Sequence, residues 1–121
     1  MRKSFWIGLI FILAVVVIWY FVSTPGKYDD FAKCLTEKNV KMYGAYWCPH
    51  CQAQKKMFGK SWEFVDYVEC ATPGSKAPKA ECVAAGVKGY PMWSFGEDRK
   101  VSGELAFEQL ASFSECELPQ D

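Results

Sequence analysis

Residues 43–59, YGAYWCPHCQAQKKMFG, hold two of the chain's six cysteines and its one histidine. Cys48 and Cys51 stand two residues apart, with Pro49 and His50 between them. Such a pair can exchange disulfides, supply half of a metal site, or staple the fold. A staple is a poor reading, because closing so short a ring constrains the unfolded chain little. A structural zinc site needs four Cys or His ligands, often as two close pairs. The chain has no second Cys-x-x-Cys and no second histidine, so no metal is expected unless Cys70 and Cys82 were recruited. Exchange chemistry is the reading that remains strongest.

Exchange needs a stabilised thiolate, and the neighbouring elements supply the means. Val40 to Ala45 alternates and is rich in β-formers, so it reads as a strand. Pro49 to Phe58 reads as a helix, with proline in the first turn where its missing N–H was unpaired anyway. Cys48 therefore falls where a strand ends and a helix begins. The first helical N–H groups lack intrahelical partners and the helix dipole is positive there, so both favour a thiolate at Cys48. Cys51, one turn further in, is the more shielded resolving thiol. His50 is expected to add positive charge beside Cys48, or to donate a hydrogen bond to its thiolate. Either effect favours the reduced form and makes the disulfide more oxidising; about 30 mV corresponds to ~1.4 kcal/mol. The plain alternative for His50 is a solvated linker residue.

A second constellation is Gly89, Tyr90 and Pro91, just ahead of a third strand, Met92 to Phe95. Proline cannot donate to a sheet ladder, so it belongs at a strand start or in a turn. X-Pro bonds are where cis peptides occur. A cis bond at Pro91 would expose the Tyr90 backbone to an extended peptide; an ordinary trans turn is the alternative.

The remaining elements follow from pattern. Tyr28 to Lys38 carries Phe31, Ala32 and Leu35 at helical spacing, and Val65 to Glu69 reads as the second strand. Ala71 to Pro78 is a loop by composition, followed by a short helix from Lys79 to Ala85. After Met92 to Phe95 come a charged turn, a short strand from Val101 to Gly103, and a final helix from Leu105 to Phe113. The expected fold is α/β: a mixed four-stranded sheet flanked by helices on both faces. Strands joined through a helix should run parallel with a right-handed crossover, and the last two antiparallel.

Ahead of this domain, Phe5 to Val22 reads FWIGLIFILAVVVIWYFV, with no charge between Lys3 and Lys27. A helix of that length rises roughly 27 Å, close to the thickness of a bilayer's hydrocarbon core. Trp6 lies near one end, and Trp19 and Tyr20 near the other, where amphipathic rings favour the interface. Arg2 and Lys3 precede the segment and place the N-terminus inside. The expected organisation is a cytoplasmic stretch 1–4, a transmembrane anchor 5–22, a polar linker 23–27 and a domain 28–121. The protein is thus expected as a single-pass protein of the cytoplasmic membrane with its catalytic domain outside. The rival is a cleaved secretory signal, but FVSTPG lacks a good small-x-small cleavage site. A buried core helix fits poorly, because an all-round apolar helix needs protein on every side and the rest of the chain is too small to surround it.

An address beyond the membrane lets disulfides persist. Cys70 and Cys82 are spaced for a local bond across the ATPGSKAP loop, and Cys34 and Cys116 for one that ties the domain's ends. With Cys48 and Cys51 paired, three connectivities remain open. The structural reading of both pairs is favoured over one in which Cys70–Cys82 relays electrons to Cys48.

Together, YGAYWCPHC, the QKKMFG that follows it, YVEC and GYPMW resemble the thioredoxin superfamily over roughly Tyr28 to Leu118. The nearest likeness is to the thioredoxin-like domains associated with vitamin K epoxide reductase homologues, and CPHC also resembles the motif of the bacterial oxidant DsbA. The resemblance implies a thioredoxin fold, Cys48 as the attacking cysteine, Cys51 as its partner and a cis Pro91 against the disulfide. Trp47, Tyr90, Pro91 and Met92 become the candidate substrate-binding residues, although many members carry Thr where Met92 stands. A membrane quinone-linked oxidase is implied as redox partner, on a separate chain. No cofactor is expected.

The expected function is thiol-disulfide oxidoreduction at Cys48–Cys51, forming disulfides in cysteine-containing exported proteins. A reductase or isomerase would use the same residues. Rivals of other classes are a Cu(I)-handling protein, since two soft thiolates can hold that ion, and a tethered chaperone. The formal net charge of zero gives no reason to invoke nucleic acid.

Overall fold

The computed structural model describes residues 1–120; Asp121, the last residue of the expected domain, lies outside them. Helix α1, Arg2–Ser23, has a mean hydropathy of 2.7 and is long and apolar enough to cross a membrane. None of its residues is buried by the rest of the described chain. Its end is tied to the folded part. Lys60 Nζ donates to the carbonyls of Phe21 and Thr24 and to Thr24 Oγ1. The linker is pinned as well. The Gly26 N–H donates to Asp29 Oδ2, Ser61 Oγ donates to Asp29 Oδ1, and the Tyr28 N–H donates back to Ser61 Oγ. A side chain on Gly26 would collide with Ser61 Oγ, so this close approach requires glycine.

Helix α2, Asp29–Glu37, opens with two acidic residues that complement its dipole and buries Phe31, Ala32 and Leu35 on one stripe. Asn39, with φ 58°, turns the chain into strand β1, Val40–Gly44. Helix α3, Pro49–Phe58, occupies the expected bounds. It runs on into a 3-10 helix, Gly59–Phe64, that the pattern of residues did not announce. Strand β2 is Asp66–Glu69, helix α4 Ala80–Ala84, strand β3 Met92–Phe95, strand β4 Arg99–Ser102 and helix α5 Phe107–Ser114.

The sheet order is β2-β1-β3-β4. Strands β1 and β2 are parallel, with Met42 opposite Tyr67, as expected for a strand-helix-strand unit. Strands β3 and β4 are antiparallel, as expected of a tight turn. The helix rule fails between β2 and β3, because β3 runs antiparallel to β1 and hence to β2. The five residues of α4 rise only about 7.5 Å, too little to carry the chain back along the sheet. The connection therefore crosses at one end and β3 returns in the opposite sense.

Cover of the two faces is uneven. One face carries Val40, Met42, Tyr67, Trp93, Phe95 and Val101, and these join a single core with residues of α2, α3 and α5. Phe58 packs edge-on against Phe107 and Trp62 within it. The other face, with Lys41, Tyr43, Ser94 and Lys100, borders an open groove of about 540 Å³. The short α4 segment approaches it, through a bond from Lys100 Nζ to the carbonyl of Ala85.

Strand β4 begins two residues before the expected start, because Arg99 pairs with Phe95 and lays its guanidinium 4.2 Å from the Phe113 ring. Helix α5 begins two residues late, because Leu105 is bonded to α3 instead.

Candidate active site

Strand β1 ends at Gly44 and the chain reaches Cys48 through a turn closed by the Cys48 N–H on the carbonyl of Ala45. Cys48 has extended backbone (φ -74°, ψ 117°) and is the N-cap of α3. Its sulfur accepts the backbone N–H of Cys51 at 3.2 Å. One otherwise unpaired amide of the helix start is thus spent on this sulfur, and α3's positive end faces it. Both sulfurs are free thiols, so the structure represents the reduced pair. Cys48 is 4% exposed and Cys51 is fully buried. Burial, then the bond with Cys48, pushes the Cys51 thiol from 9.0 up to about 12. The two sulfurs therefore differ in the way that exchange requires: one caps the helix start and keeps a narrow opening to solvent, the other is held protonated inside.

Gly44 makes room for this arrangement. A Cβ there would stand 3.0 Å from Cys51 Sγ, 3.0 Å from Tyr67 Cε2 and 3.2 Å from Tyr67 Oη. Burial also raises the Tyr67 phenol, and its bond to Glu69 adds to the effect. Gln54, one turn after Cys51, is wholly buried. Its Nε2 donates to the carbonyl of Leu105 at 3.0 Å, and its Oε1 accepts the Leu105 N–H at 2.7 Å and Trp93 Nε1 at 3.3 Å. This side chain fixes the segment between β4 and α5 against the helix that carries the cysteines.

Pro49 occupies the first turn of α3 and is exposed. His50 makes its hydrogen bond elsewhere than the one expected to Cys48. Its ring is exposed, and Nδ1 pairs with Glu104 Oε1 at 2.9 Å. No hydrogen bond from His50 to Cys48 occurs among the described residues. Residue 50 points off the helix start toward the segment after β4, which Gln54 holds in place.

The Tyr90–Pro91 bond is cis. Pro91 is buried, while Tyr90 is half-buried and packs edge-on against the exposed Trp47 ring, centroids 5.9 Å apart. These two rings border a cavity of about 240 Å³, walled by Ala71, Ser75 and Pro78 of the loop after β2. Met92 does not belong to the binding surface expected of it: at 3% exposure its side chain lies within the protein. It sits on the sheet face opposite Trp93, paired with Tyr43 and Ser102. Cys34, half-buried, is bonded to the buried Cys116, and the buried Cys70 to the buried Cys82.

Sequence reasoning passed over Gln54, Tyr67, Glu69 and Glu104. One signal pointed to Gln54: Cys51, Gln54 and Phe58 share an i, i+3, i+7 stripe that is otherwise apolar.

No protein-family model matches the chain. Over 94 residues it is 40% identical to the thiol-disulfide oxidoreductase LTO1 of Arabidopsis thaliana, a match that takes in 74% of this chain and 24% of that protein. The chain thus spans about a quarter of the length of the curated relative it matches. That likeness falls in with the two-sulfur geometry and supports reading the chain as an oxidoreductase.

Proposed function

We propose that the chain is a membrane-anchored, thioredoxin-like thiol-disulfide oxidoreductase that forms disulfides in exported proteins. The observation that carries this is the Cys48 sulfur at the N-cap of α3, bonded to the Cys51 N–H, with Cys51 buried behind it. The sheet order and the pair's place at the end of β1 support the fold reading. The apolar α1 supports an anchor over residues 5–22.

In the oxidised enzyme, a substrate thiolate attacks the sulfur of Cys48. The Cys48–Cys51 bond breaks, and Cys51 leaves with the electron pair and takes up a proton. Cys48 is now joined to substrate as a mixed disulfide. A second substrate thiolate attacks the substrate sulfur of that bond, the substrate disulfide forms, and Cys48 departs as a thiolate stabilised by the helix start. The substrate loses two electrons and the enzyme gains them. A separate quinone-linked membrane oxidase, accepting those electrons, restores the enzyme. The narrow opening at Cys48 suits flexible, unfolded segments, and the Trp47–Tyr90 cavity offers a resting place for a neighbouring apolar side chain.

The test uses the oxidised full chain in lipid nanodiscs and a reduced peptide with two cysteines. One peptide disulfide should form per chain, and Cys48→Ser should form none. Equal oxidation by the Cys48→Ser chain would overturn the proposal.

A further inference from the structure

In either direction of exchange, Cys51 must gain or lose one proton, yet its side chain is fully buried. Something beside it must carry that proton. Across the gap at Gly44, the position a Cβ would take is 3.0 Å from Cys51 Sγ and 3.2 Å from Tyr67 Oη. Sulfur and phenol thus lie within the reach of one bridging water. Tyr67 Oη donates to Glu69 Oε2 at 2.7 Å. The other carboxylate oxygen, Oε1, accepts the N–H of Tyr46 at 3.1 Å and of Ala71 at 3.0 Å. Glu69 is therefore fixed by three donors, and it is only half-buried, so it can pass a proton on to solvent. The ionisable groups that face Cys51 are Cys48 at the N-cap of α3, Lys55 of α3 and Tyr67 of β2, with Glu69 bonded behind Tyr67. Lys55 Nζ stands 3.9 Å from the centre of the Tyr67 ring, where it steadies negative charge on the relay. Glu69 is the carboxylate this chain of groups reaches, through Tyr67 Oη.

We propose that Glu69, acting through Tyr67, takes the proton from Cys51 and returns it during exchange; the inference rests on the thiol-disulfide reading above. When a mixed disulfide at Cys48 is resolved, the Cys51 proton passes to the bridging water as that water gives a proton to the Tyr67 oxygen and the Tyr67 proton passes to Glu69. The Cys51 sulfur attacks Cys48, the Cys48–Cys51 bond forms, and the substrate leaves as a thiolate with the electron pair. Glu69 then releases its proton to water. When the Cys48–Cys51 bond opens, the same transfers run backwards and the leaving Cys51 thiolate is protonated.

The experiment follows the two steps separately. The full chain in detergent micelles, reduced only at Cys48 and Cys51, is mixed with glutathione disulfide, quenched with acid and read by intact mass. Adduct formation at Cys48 reports the first step, and conversion to the internal disulfide the second. Glu69→Gln keeps an oxygen for the Tyr46 and Ala71 N–H groups but is a far weaker proton acceptor; Tyr67→Phe breaks the relay at its middle. Both should form adduct at the wild-type rate and resolve it at least about tenfold more slowly near neutral pH. The defect should shrink as pH rises and hydroxide substitutes for the relay. Resolution by Glu69→Gln at the wild-type rate would overturn the proposal, as would an equal slowing of both steps, which would make Glu69 a loop tie only. Failure of the wild-type chain to form any adduct would strike the exchange reading itself, and is read in the first step alone.

Discussion

Replacing Gln54 by Leu tests how the cysteine helix is held. The change keeps the apolar volume roughly constant but removes every polar atom. Three buried groups lose their partners: the Leu105 N–H, the Leu105 carbonyl and Trp93 Nε1. Leu105 is 4% exposed and Trp93 is fully buried, so water reaches them poorly. A stranded buried group costs about 1–3 kcal/mol. The three together cost about 3–5 kcal/mol, allowing for some relaxation of the 103–106 segment toward solvent. Against a typical ~5–15 kcal/mol for a domain, that is a large share, worth roughly 15–30 °C in midpoint. The assay is thermal and urea unfolding of the full chain in detergent, oxidised and reduced. Gln54→Glu is the comparison, since it keeps an acceptor for Leu105 N–H and Trp93 while losing the donor. A Gln54→Leu loss below about 1 kcal/mol would refute the claim that these bonds hold the site.

Three further outcomes are expected. With Cys51 raised to about 12, the folded reduced protein keeps a proton that the unfolded chain loses above about pH 9. The reduced form should therefore lose stability relative to the oxidised form as pH climbs past that point, read as a fall in its urea midpoint measured against that of the oxidised form; a pH-independent difference contradicts it. Gly44→Ala should drive a methyl against Cys51 Sγ and the Tyr67 ring, lowering reduced-state stability by about 1–3 kcal/mol and slowing exchange, measured by unfolding and by adduct resolution. Removing Cys34–Cys116, with a sequence separation of 82, should cost about 4–5 kcal/mol, and removing Cys70–Cys82, with a separation of 12, about 3 kcal/mol. Double serine variants compared by urea midpoint check that order.

Much of the frame is local and so was legible. Helix α3 runs from a first-turn proline to a glycine with φ 56°, and both ends are written in the residues. Strand β3 likewise kept its expected bounds. The parts that were not legible depend on distant partners. Gln54 looks like a surface residue until Leu105, 51 residues on, covers it. His50 looks free to face Cys48 until Glu104, 54 residues on, takes its ring. The direction of β3 depends on how far α4 reaches, and a short helix signal does not carry that length. Met92 reads as a binding residue by family resemblance, yet it is 3% exposed although alternation sets it on the sheet face opposite Trp93. Tyr67 and Glu69 read as plain strand residues; only the absence of a side chain at Gly44 lets Tyr67 approach Cys51.

The most direct test of Cys48 as the exchanging sulfur is a trap. The full chain carrying Cys51→Ser, in nanodiscs, is incubated with a disulfide-bonded peptide and analysed by peptide mapping. One stable peptide adduct per chain, on Cys48 alone and absent from a Cys48→Ser chain, is the predicted result. No adduct, or an adduct shared with Cys70 or Cys82, would contradict the account.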